Sequence, residues 1–369
     1  MQSPWTRVQA EVRKAGAAAA VAVSPESVRH LAGVHFASQV MIRRRLAFVV
    51  IPAEGEPSLI VQAVLEGTAT QRSQIPRVLT YLTGPVDGLA RHLAEAGLDR
   101  GPLMVEMDFL PAADERRLAG ALPATPIRDA GDLFQRARQV RTPAEITEHR
   151  RCAVAAERAI QTAFGSARAG HTTERDVYTR LANSLLALHG GVIPFLTLSS
   201  GPDRTRALHA DPSDRVIAPG DFLLVDLVGF FAGLYTDIAR TVVVGEATPA
   251  QARLFRRVRA VQQAVIDDLR PGLTAGQVYD IFVGHADAHG QSFRYRYVGH
   301  STGYEVVEEP VLTAGSDRLL LPGMVLSVEV KDTELGVGAV HLEDMLALTE
   351  TGVDVWTTAM TAADVPEVG

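Results

Sequence analysis

The chain has 369 residues, enough for two domains of ordinary size, and its composition of 47% hydrophobic and 21% charged residues is that of a globular protein. Its 36 basic and 43 acidic residues give a net charge of −7, which excludes the basic footprint of a nucleic-acid-binding protein. A single cysteine, Cys152, excludes an internal disulfide, and no run approaches the ~20 apolar residues of a membrane span. We therefore expect a cytoplasmic protein without nucleic-acid or membrane partners.

The first third of the chain alternates strand and helix patterns. Apolar runs and helical spacing predict four strands and two helices, at 17–23, 46–51, 58–61 and 102–106 and at 84–96 and 112–121. Residues 13–24 superficially resemble a signal peptide, but their apolar part is short and mostly alanine. We interpret it as a first core strand followed by a turn at Pro25. The pattern predicts an α/β domain over residues 1–137.

One basic cluster, Arg43 with Arg44 and Arg45, interrupts this domain. Three adjacent arginines fit a solvated edge. One of them could instead bind a substrate carboxylate, since a guanidinium pairs with it bidentately. Both interpretations stay open.

A second domain is predicted over residues 138–369. Capping boxes mark three helix starts, Thr142 with Glu145, Thr173 with Asp176, and Thr274 with Gln277. Pro143 suits the first helical position, and this helix should reach about Ala167. Helices here combine with antiparallel hairpins, which is an α+β pattern.

The stretch 223–244, LLVDLVGFFAGLYTDIARTVVV, has the pattern of an apolar β-hairpin with one carboxylate on each arm. Asp226 and Asp237 are equidistant from a turn predicted at Phe231 and Ala232. A two-residue turn would place the acids directly opposite each other, with Cβ atoms roughly 4.5–5.5 Å apart. Facing carboxylates among apolar residues are unfavourable unless a cation lies between them. A divalent metal ion fits this position best.

A second hairpin, VLSVEVKDTELGVGAVHLEDMLAL, places Glu329 and Glu343 symmetrically about Gly336. A single acid on a strand is usually solvated. Two mirror-symmetric pairs instead indicate a dinuclear site, with metal ions about 3.5–4 Å apart. Asp332 and Asp344 are out of register with the pair, so we expect them to point to the other face.

Two histidines could complete this site. His300 is flanked by Gly299 and Gly303, which allow close backbone approach. A neutral imidazole beside carboxylates gives a ligand set that manganese, cobalt, iron or zinc accepts. His209 lies in a polar loop before the first hairpin, where it fits a surface residue or a site residue equally well.

The order of these residues resembles the pita-bread metallopeptidase family, which includes prolidase, aminopeptidase P, methionine aminopeptidase and the non-metal enzyme creatinase. The motifs that carry the resemblance are Asp226 and Asp237, Gly299-His300, Pro322-Gly323-Met324 before Glu329, and Leu342-Glu343-Asp344. Residues 1–137 resemble the creatinase-type N-terminal domain, with PESVR at 25–29 matching its early strand–turn motif. The resemblance implies an α/β N-terminal domain, an α+β pita-bread catalytic domain and a homodimer.

The resemblance also implies a role for each metal ligand. Asp237 and Glu343 would bridge two divalent ions, most simply Mn²⁺, with Co²⁺, Zn²⁺ or Fe²⁺ as alternatives. Asp226 would bind one ion, and His300 and Glu329 the other. The two ions would activate a water for attack on a scissile amide.

The catalytic residues implied by the resemblance are Glu329, as a proton shuttle, and His209, as a substrate contact near the scissile bond. Three positions depart from the family pattern, and one of them is Val330, which follows Glu329 where the family has proline. The peptidases have a second histidine seven residues after the ligand histidine, where this chain has Val307. His341 stands where prolidase-like members have arginine, and strand alternation puts it on the face of Glu343. We predict that His341 replaces part of the lost function.

Three functions stay open. A metal-dependent hydrolase of an amide bond in a small peptide-like substrate, most simply of the Xaa-Pro dipeptidase or aminopeptidase type, would use all five ligands. Val307 and His341 would suit a hydrolase of another C–N bond, such as an amidine or a cyclic amide. A catalytically silent metal-binding homologue would account for the missing histidine, but not for the intact ligands.

Overall fold

The computed structural model describes residues 3–42, 44–207, 209–292 and 295–369, so Arg43 of the basic cluster lies outside the described residues. The chain forms two compact units, Met1–Arg138 and Gln139–Gly369. The predicted boundary was after residue 137. None of the helices in the described ranges has both the length and the apolar character needed to cross a bilayer.

The N-terminal unit is built on a six-stranded mixed sheet. Its strands are β1 Ala19–Ala22, β2 Phe48–Pro52, β3 Ser58–Gln62, β4 Arg77–Tyr81, β5 Leu103–Val105 and β6 Ile127–Asp129. Its helices are α1 Trp5–Lys14, α2 Pro25–Ala32, α3 Ala37–Met41, α4 Glu66–Arg72, α5 Pro85–Glu95, α6 Ala112–Ala121 and α7 Gly131–Gln139. The strand order is β4-β3-β2-β1-β5-β6, and β2 is antiparallel to both of its neighbours. Successive residues of the central strands enter two separate apolar cores, so both faces of the sheet are covered.

Pro25 begins a helix, and the predicted turn at this position is wrong. Ser24 has extended backbone, and its side chain accepts a hydrogen bond from the Ser27 N–H. Ser24 is therefore an N-cap, and Pro25 occupies the first helical turn, where its missing N–H costs nothing. The sequence interpretation also omitted α1, whose buried face consists of Val8 and Val12.

In its described residues, the C-terminal unit combines four α-helices with two mainly antiparallel sheets. Its strands are β7 Val192–Ser200, β8 Asp221–Phe231, β9 Leu234–Val244, β10 Tyr297–Ser301, β11 Glu308–Thr313, β12 Val325–Glu334, β13 Gly338–Leu348, β14 Val353–Val355 and β15 Glu367–Val368. Its helices are α8 Pro143–Phe164, α9 Glu174–His189, α10 Pro249–Asp268 and α11 Ala275–Ala288. The sheet orders are β11-β10-β12-β13-β14 and β15-β9-β8-β7, with only β15 parallel to its neighbour among these pairs. The predicted α+β class is confirmed.

Capping boxes start all four helices of this unit. The three predicted boxes are present, and a fourth, Thr248 with Gln251, starts α10, which the sequence interpretation omitted. Helix α8 ends at Phe164, ahead of the predicted Ala167, and Gly165 is its C-cap. Apolar faces of α8 and α9 pack in one core, and those of α10 and α11 in another.

The two acid-bearing hairpins are joined through polar side chains at mid-strand. The Thr241 hydroxyl accepts a hydrogen bond from the His341 N–H at 3.0 Å and donates to the His341 carbonyl at 3.1 Å. The Ser327 hydroxyl donates to the Asp237 carbonyl at 2.9 Å. These bonds hold β9 against β12 and β13, so the middles of both hairpins meet.

Candidate metal centre

The first hairpin turns one residue later than predicted. Phe231 pairs with Leu234, so the two-residue turn is Ala232-Gly233, with φ of 50° and 96°. A two-residue hairpin turn with positive φ at both positions strongly favours glycine at the second. The predicted turn at Phe231 and Ala232 is wrong because it would place two side-chain-bearing residues in that conformation.

This shift changes how the two aspartates face each other. Asp226 pairs with Ala239 and Asp237 with Val228, so the acids are diagonal neighbours and not directly opposite. Diagonal residues share one face of the sheet at about 7–8 Å, farther apart than a direct pair. The separation leaves room for a cation between two carboxylates on the same face.

The second hairpin has the predicted register. Glu329 lies directly opposite Glu343. Asp332 and Asp344 serve a different face, as predicted, since they form ion pairs with arginines of α10. The pairs are Arg257 with Asp332 at 2.7 Å and Arg259 with Asp344 at 3.2 Å.

His300 directs one ring nitrogen at the acids. Its Nε2 lies 3.8 Å from an Asp237 oxygen and 3.9 Å from a Glu329 oxygen. Its Nδ1 lies 3.0 Å from the Thr302 hydroxyl, which itself donates to the Val306 carbonyl. Because that hydroxyl proton is already used, the oxygen accepts from His300 Nδ1–H. The Nε2 lone pair is then free to bind a metal, and outer hydrogen bonds of this kind orient ligand histidines.

Substituting Gly299 should displace His300 and destabilise the unit. Gly299 has φ of 150°, and a Cβ there would overlap the Ser327 carbonyl oxygen on β12. Gly299→Ala should therefore reduce the free energy of unfolding by about 1–3 kcal/mol, measured by chemical denaturation. The matched control is Gly284→Ala on the exposed face of α11, where a Cβ meets no atom within 4 Å and about 0.5–1 kcal/mol should be gained. Equal stability of the two variants would contradict this account.

Burial and mutual repulsion make the acid cluster unfavourable when it is fully ionised. Burial and the negative charges of Asp226 and Glu329 raise the pKa of Asp237 well above its ordinary value. Burial and the charge of Asp237 do the same to the pKa of Glu343. Burial also raises the pKa of Asp226. A bound cation would reverse these effects, because it stabilises the ionised carboxylates.

The donor atoms are close enough to share an ion. Asp237, His300 and Glu343 each offer one ligand atom, and these atoms all lie within 4.8 Å of one another. Two carboxylates and an imidazole form a donor set suited to a divalent transition metal. The buried residues therefore fit a metal ion on both geometry and charge.

His341 contacts two other acids of the cluster. Its Nε2 lies 3.0 Å from a Glu329 oxygen, and its Nδ1 lies 3.7 Å from an Asp226 oxygen. Burial would raise the pKa of Glu329, but the hydrogen bond and charge of His341, together with the charges of His300 and Lys331, outweigh it, so this pKa is lowered. Position 341 faces the same side as Glu343, as predicted.

All of these groups line one cavity of about 180 Å³. The predicted site residues on its wall are Asp226, Asp237, His300, Glu329, Glu343, His209 and His341. Phe195, Val306 and Val307 supply apolar wall, and Phe195 packs against His209 with ring centroids 5.3 Å apart. The volume is below the roughly 300–1,000 Å³ of pockets for drug-sized ligands, which suits a short substrate.

Position 307 carries valine where the resembled peptidases have their second histidine, and an acid follows it at position 308. Val307 lines the cavity, whereas Glu308 is buried and ion-paired with Arg141. The acid at 308 is therefore committed to a structural pair, and position 307 presents only methyl groups.

Sequence reasoning missed three polar residues of the cavity, Tyr295, Tyr297 and Lys331. Lys331 stands two residues after Glu329 on β12 and directly opposite His341, so these three residues share a face. Strand alternation, the signal that assigned His341 to this face, could have found Lys331. Burial lowers the pKa of the Lys331 ammonium.

Comparison with known proteins relates both units to described families. The model of metallopeptidase family M24 matches residues 147–350. The model of the creatinase/prolidase N-terminal domain matches residues 4–140. The two matches together cover most of the chain.

Relatives extend over nearly the whole length. A probable dipeptidase PepE from Mycobacterium tuberculosis is 30% identical over 84% of this chain and 82% of its own. An Xaa-Pro dipeptidase from Lactobacillus delbrueckii subsp. lactis is 28% identical over 95% of each chain. The solved structure of an Xaa-Pro dipeptidase from Bacillus anthracis superposes with a TM-score of 0.87 at 22% identity, covering 99% of each chain.

Proposed function

The chain belongs to metallopeptidase family M24, and from that premise we propose that it is a dinuclear metal-dependent Xaa-Pro dipeptidase. The family matches confirm the predicted recognition and the architecture of a creatinase-type N-terminal domain followed by a pita-bread domain. The observation that carries the proposal is the convergence of Asp226, Asp237, His300, Glu329 and Glu343 on one small cavity. Relatives named as dipeptidases and Xaa-Pro dipeptidases support the reaction class.

Five side chains would hold two divalent ions, with Mn²⁺ as the first candidate. Asp237 and Glu343 would be shared, Asp226 would serve one ion, and His300 with Glu329 the other. When bound, the ions polarise the amide carbonyl and lower the pKa of an attacking water. Repulsion among the ionised acids, expressed in the raised pKa values of Asp237 and Glu343, favours cation binding.

The remaining groups would bind substrate and move protons. Glu329 and His341 are hydrogen-bonded at 3.0 Å, so a proton taken by Glu329 can be shared with the imidazole before it reaches the leaving nitrogen. Phe195 and Val307 would exclude water beside the scissile bond. His209, at the exposed edge of the cavity, would contact the substrate. The expected homodimer stays a prediction.

His341→Ala should lower kcat by about 10²–10⁴-fold, the usual loss when a general acid–base group is removed. Metal content, measured by elemental analysis, should change little because none of the five proposed ligands is altered. The control is His171→Ala, which changes an exposed histidine that is not among the described lining residues of the cavity. An unchanged activity profile would show that His341 does not replace the missing histidine.

The proposed function is tested by assaying metal-loaded protein on Xaa-Pro dipeptides, longer Xaa-Pro peptides and cyclic amidines. Cleavage of Xaa-Pro dipeptides that is lost after chelation and restored by Mn²⁺ is the expected result. The second candidate is hydrolysis of a non-peptide C–N bond, which Val307 on the cavity wall favours. Turnover of an amidine or cyclic amide without Xaa-Pro cleavage would replace the first proposal. Binding of metal without any turnover would favour the catalytically silent homologue.

A further inference from the structure

Lys331 brings to the cavity a positive charge that the proposed metal binding and proton transfer do not use. The charges of Asp226 and Glu329 attract it. It is half-buried on β12, lines the cavity, and lies opposite His341 across the strand pair. Within the part of the chain that the structure describes, its ammonium forms no ion pair within 4 Å. The sequence contains one other lysine, Lys14, whose side chain is 78% exposed. A half-buried ammonium that faces a cavity without an ion-pair partner is suited to an anionic ligand.

We propose that Lys331 binds the free α-carboxylate at the C-terminal end of the substrate and thereby restricts the enzyme to dipeptides. The proposal rests on the proposed function, because it names the substrate class that the same cavity accepts. It makes Lys331 a specificity-determining residue outside the proposed metal-ligand set.

Spacing along β12 matches a single residue after the scissile bond. Glu329 and Lys331 are two residues apart on one face, which is about 6.6 Å along a strand. One residue of extended peptide spans at most ~3.6 Å, and a charge-assisted N–H···O bond adds about 2.8 Å. Both side chains line the same cavity, so a dipeptide whose scissile carbonyl lies at Glu329 would have its carboxylate within reach of the flexible Lys331 side chain. A longer peptide would present a neutral amide there, and its next residue would have to pass the ammonium.

Charge balance supports the same assignment. Four carboxylates line the cavity, and an anionic substrate end needs a cation among them. His341 is engaged with Glu329 at 3.0 Å and lies beside Asp226, so its ring is directed at acids. Lys331, the cross-strand neighbour of position 341, is the remaining cation on this face among the described lining residues.

The kinetic test compares a dipeptide with its C-terminal amide. For Lys331→Met, kcat/KM on the Xaa-Pro dipeptide should fall about 10- to 100-fold, mainly through KM, as expected for loss of a hydrogen bond to a charged group. Activity on the Xaa-Pro amide should fall at least about fivefold less than activity on the dipeptide, and Lys331→Arg should recover most of the dipeptide activity. Equal losses on the dipeptide and its amide would overturn the proposal.

An NMR binding experiment tests whether Lys331 binds the carboxylate, and it does not require the enzyme to turn over a substrate. Protein labelled with ¹³C at the lysine ε-carbon gives two ε-CH₂ signals, and Lys331→Arg identifies the one from the cavity. In zinc-loaded protein, proline should shift the Lys331 signal and prolinamide should not, while the Lys14 signal stays constant. Identical responses to both compounds, or none, would refute carboxylate binding even if the enzyme cleaves dipeptides. A selective shift in protein that cleaves no peptide would instead refute the proposed function alone.

Discussion

Asp237→Asn should abolish metal-dependent hydrolysis and, at the same time, stabilise the metal-free protein at neutral pH. Activity should fall by at least ~10³-fold, because a metal site supplies several kcal/mol of transition-state stabilisation. The gain in stability follows from the pKa of Asp237, which burial and the charges of Asp226 and Glu329 raise well above its ordinary value. Removing the ionised group removes this repulsion.

The raised pKa of Asp237 determines whether the stability of the metal-free protein rises or falls with pH. A carboxyl whose folded-state pKa is raised holds its proton longer in the folded protein than in the unfolded chain. The metal-free protein therefore loses stability as the pH rises from the unfolded-state pKa of about 3.9 through the folded-state pKa. Asp237→Asn should melt higher than the parent at pH 7.5 without metal, and the difference should vanish near pH 4.

Thermal melts of chelator-treated protein at the two pH values test this prediction, with each kcal/mol expected to move Tm by about 2–4 °C. Asp280→Asn, an exposed aspartate on α11, serves as the control and should leave Tm unchanged at both values. Added Mn²⁺ should stabilise the parent more than the Asp237 variant. A lower Tm for Asp237→Asn at neutral pH without metal would mean that the acid cluster does not need a cation.

Arg240→Ala should cost about 3–5 kcal/mol of unfolding free energy, the typical penalty for breaking a buried ion pair. The guanidinium is 3% exposed and donates to Glu157 and Asp344, each at 2.6 Å. It also donates to the carbonyl oxygens of Glu343 at 2.6 Å and Thr357 at 2.9 Å. Removing it leaves the Glu157 carboxylate buried among these groups and frees the backbone of a proposed bridging ligand.

Urea unfolding compares this variant with Arg256→Ala, which removes an exposed arginine paired with Asp364 at 3.0 Å. The surface pair should contribute only about 0–1 kcal/mol. Arg240→Lys keeps the charge, so it should lose less than the alanine variant and remain measurable if Arg240→Ala does not fold. Metal affinity should fall with Arg240→Ala and stay unchanged with Arg256→Ala. Equal costs for the two alanine variants would show that the buried network does not hold β9 against β13.

The two hairpins show how far local patterns reach. The symmetric Gly-rich turn about Gly336 gave the correct pairing of Glu329 with Glu343. The same reasoning failed by two positions for Asp226 and Asp237, because the turn forms where glycine can adopt positive φ. Turn chemistry sets register, and a turn one residue later moves every cross-strand partner by two.

The sequence by itself determined the side-chain faces of the strands, the capped helix starts and the residues of the acid set. Each follows from a period of two or from contacts three residues apart, which depend only on neighbours in the chain. Tertiary structure alone decided that Glu308 pairs with Arg141, that Arg240 joins distant acids, and that Lys331 faces the cavity without an ion-pair partner in the described chain. Partners and burial at these positions come from strands and helices far apart in sequence. A pKa raised by burial and by facing charges is therefore a property of the packed protein, which no local pattern carries.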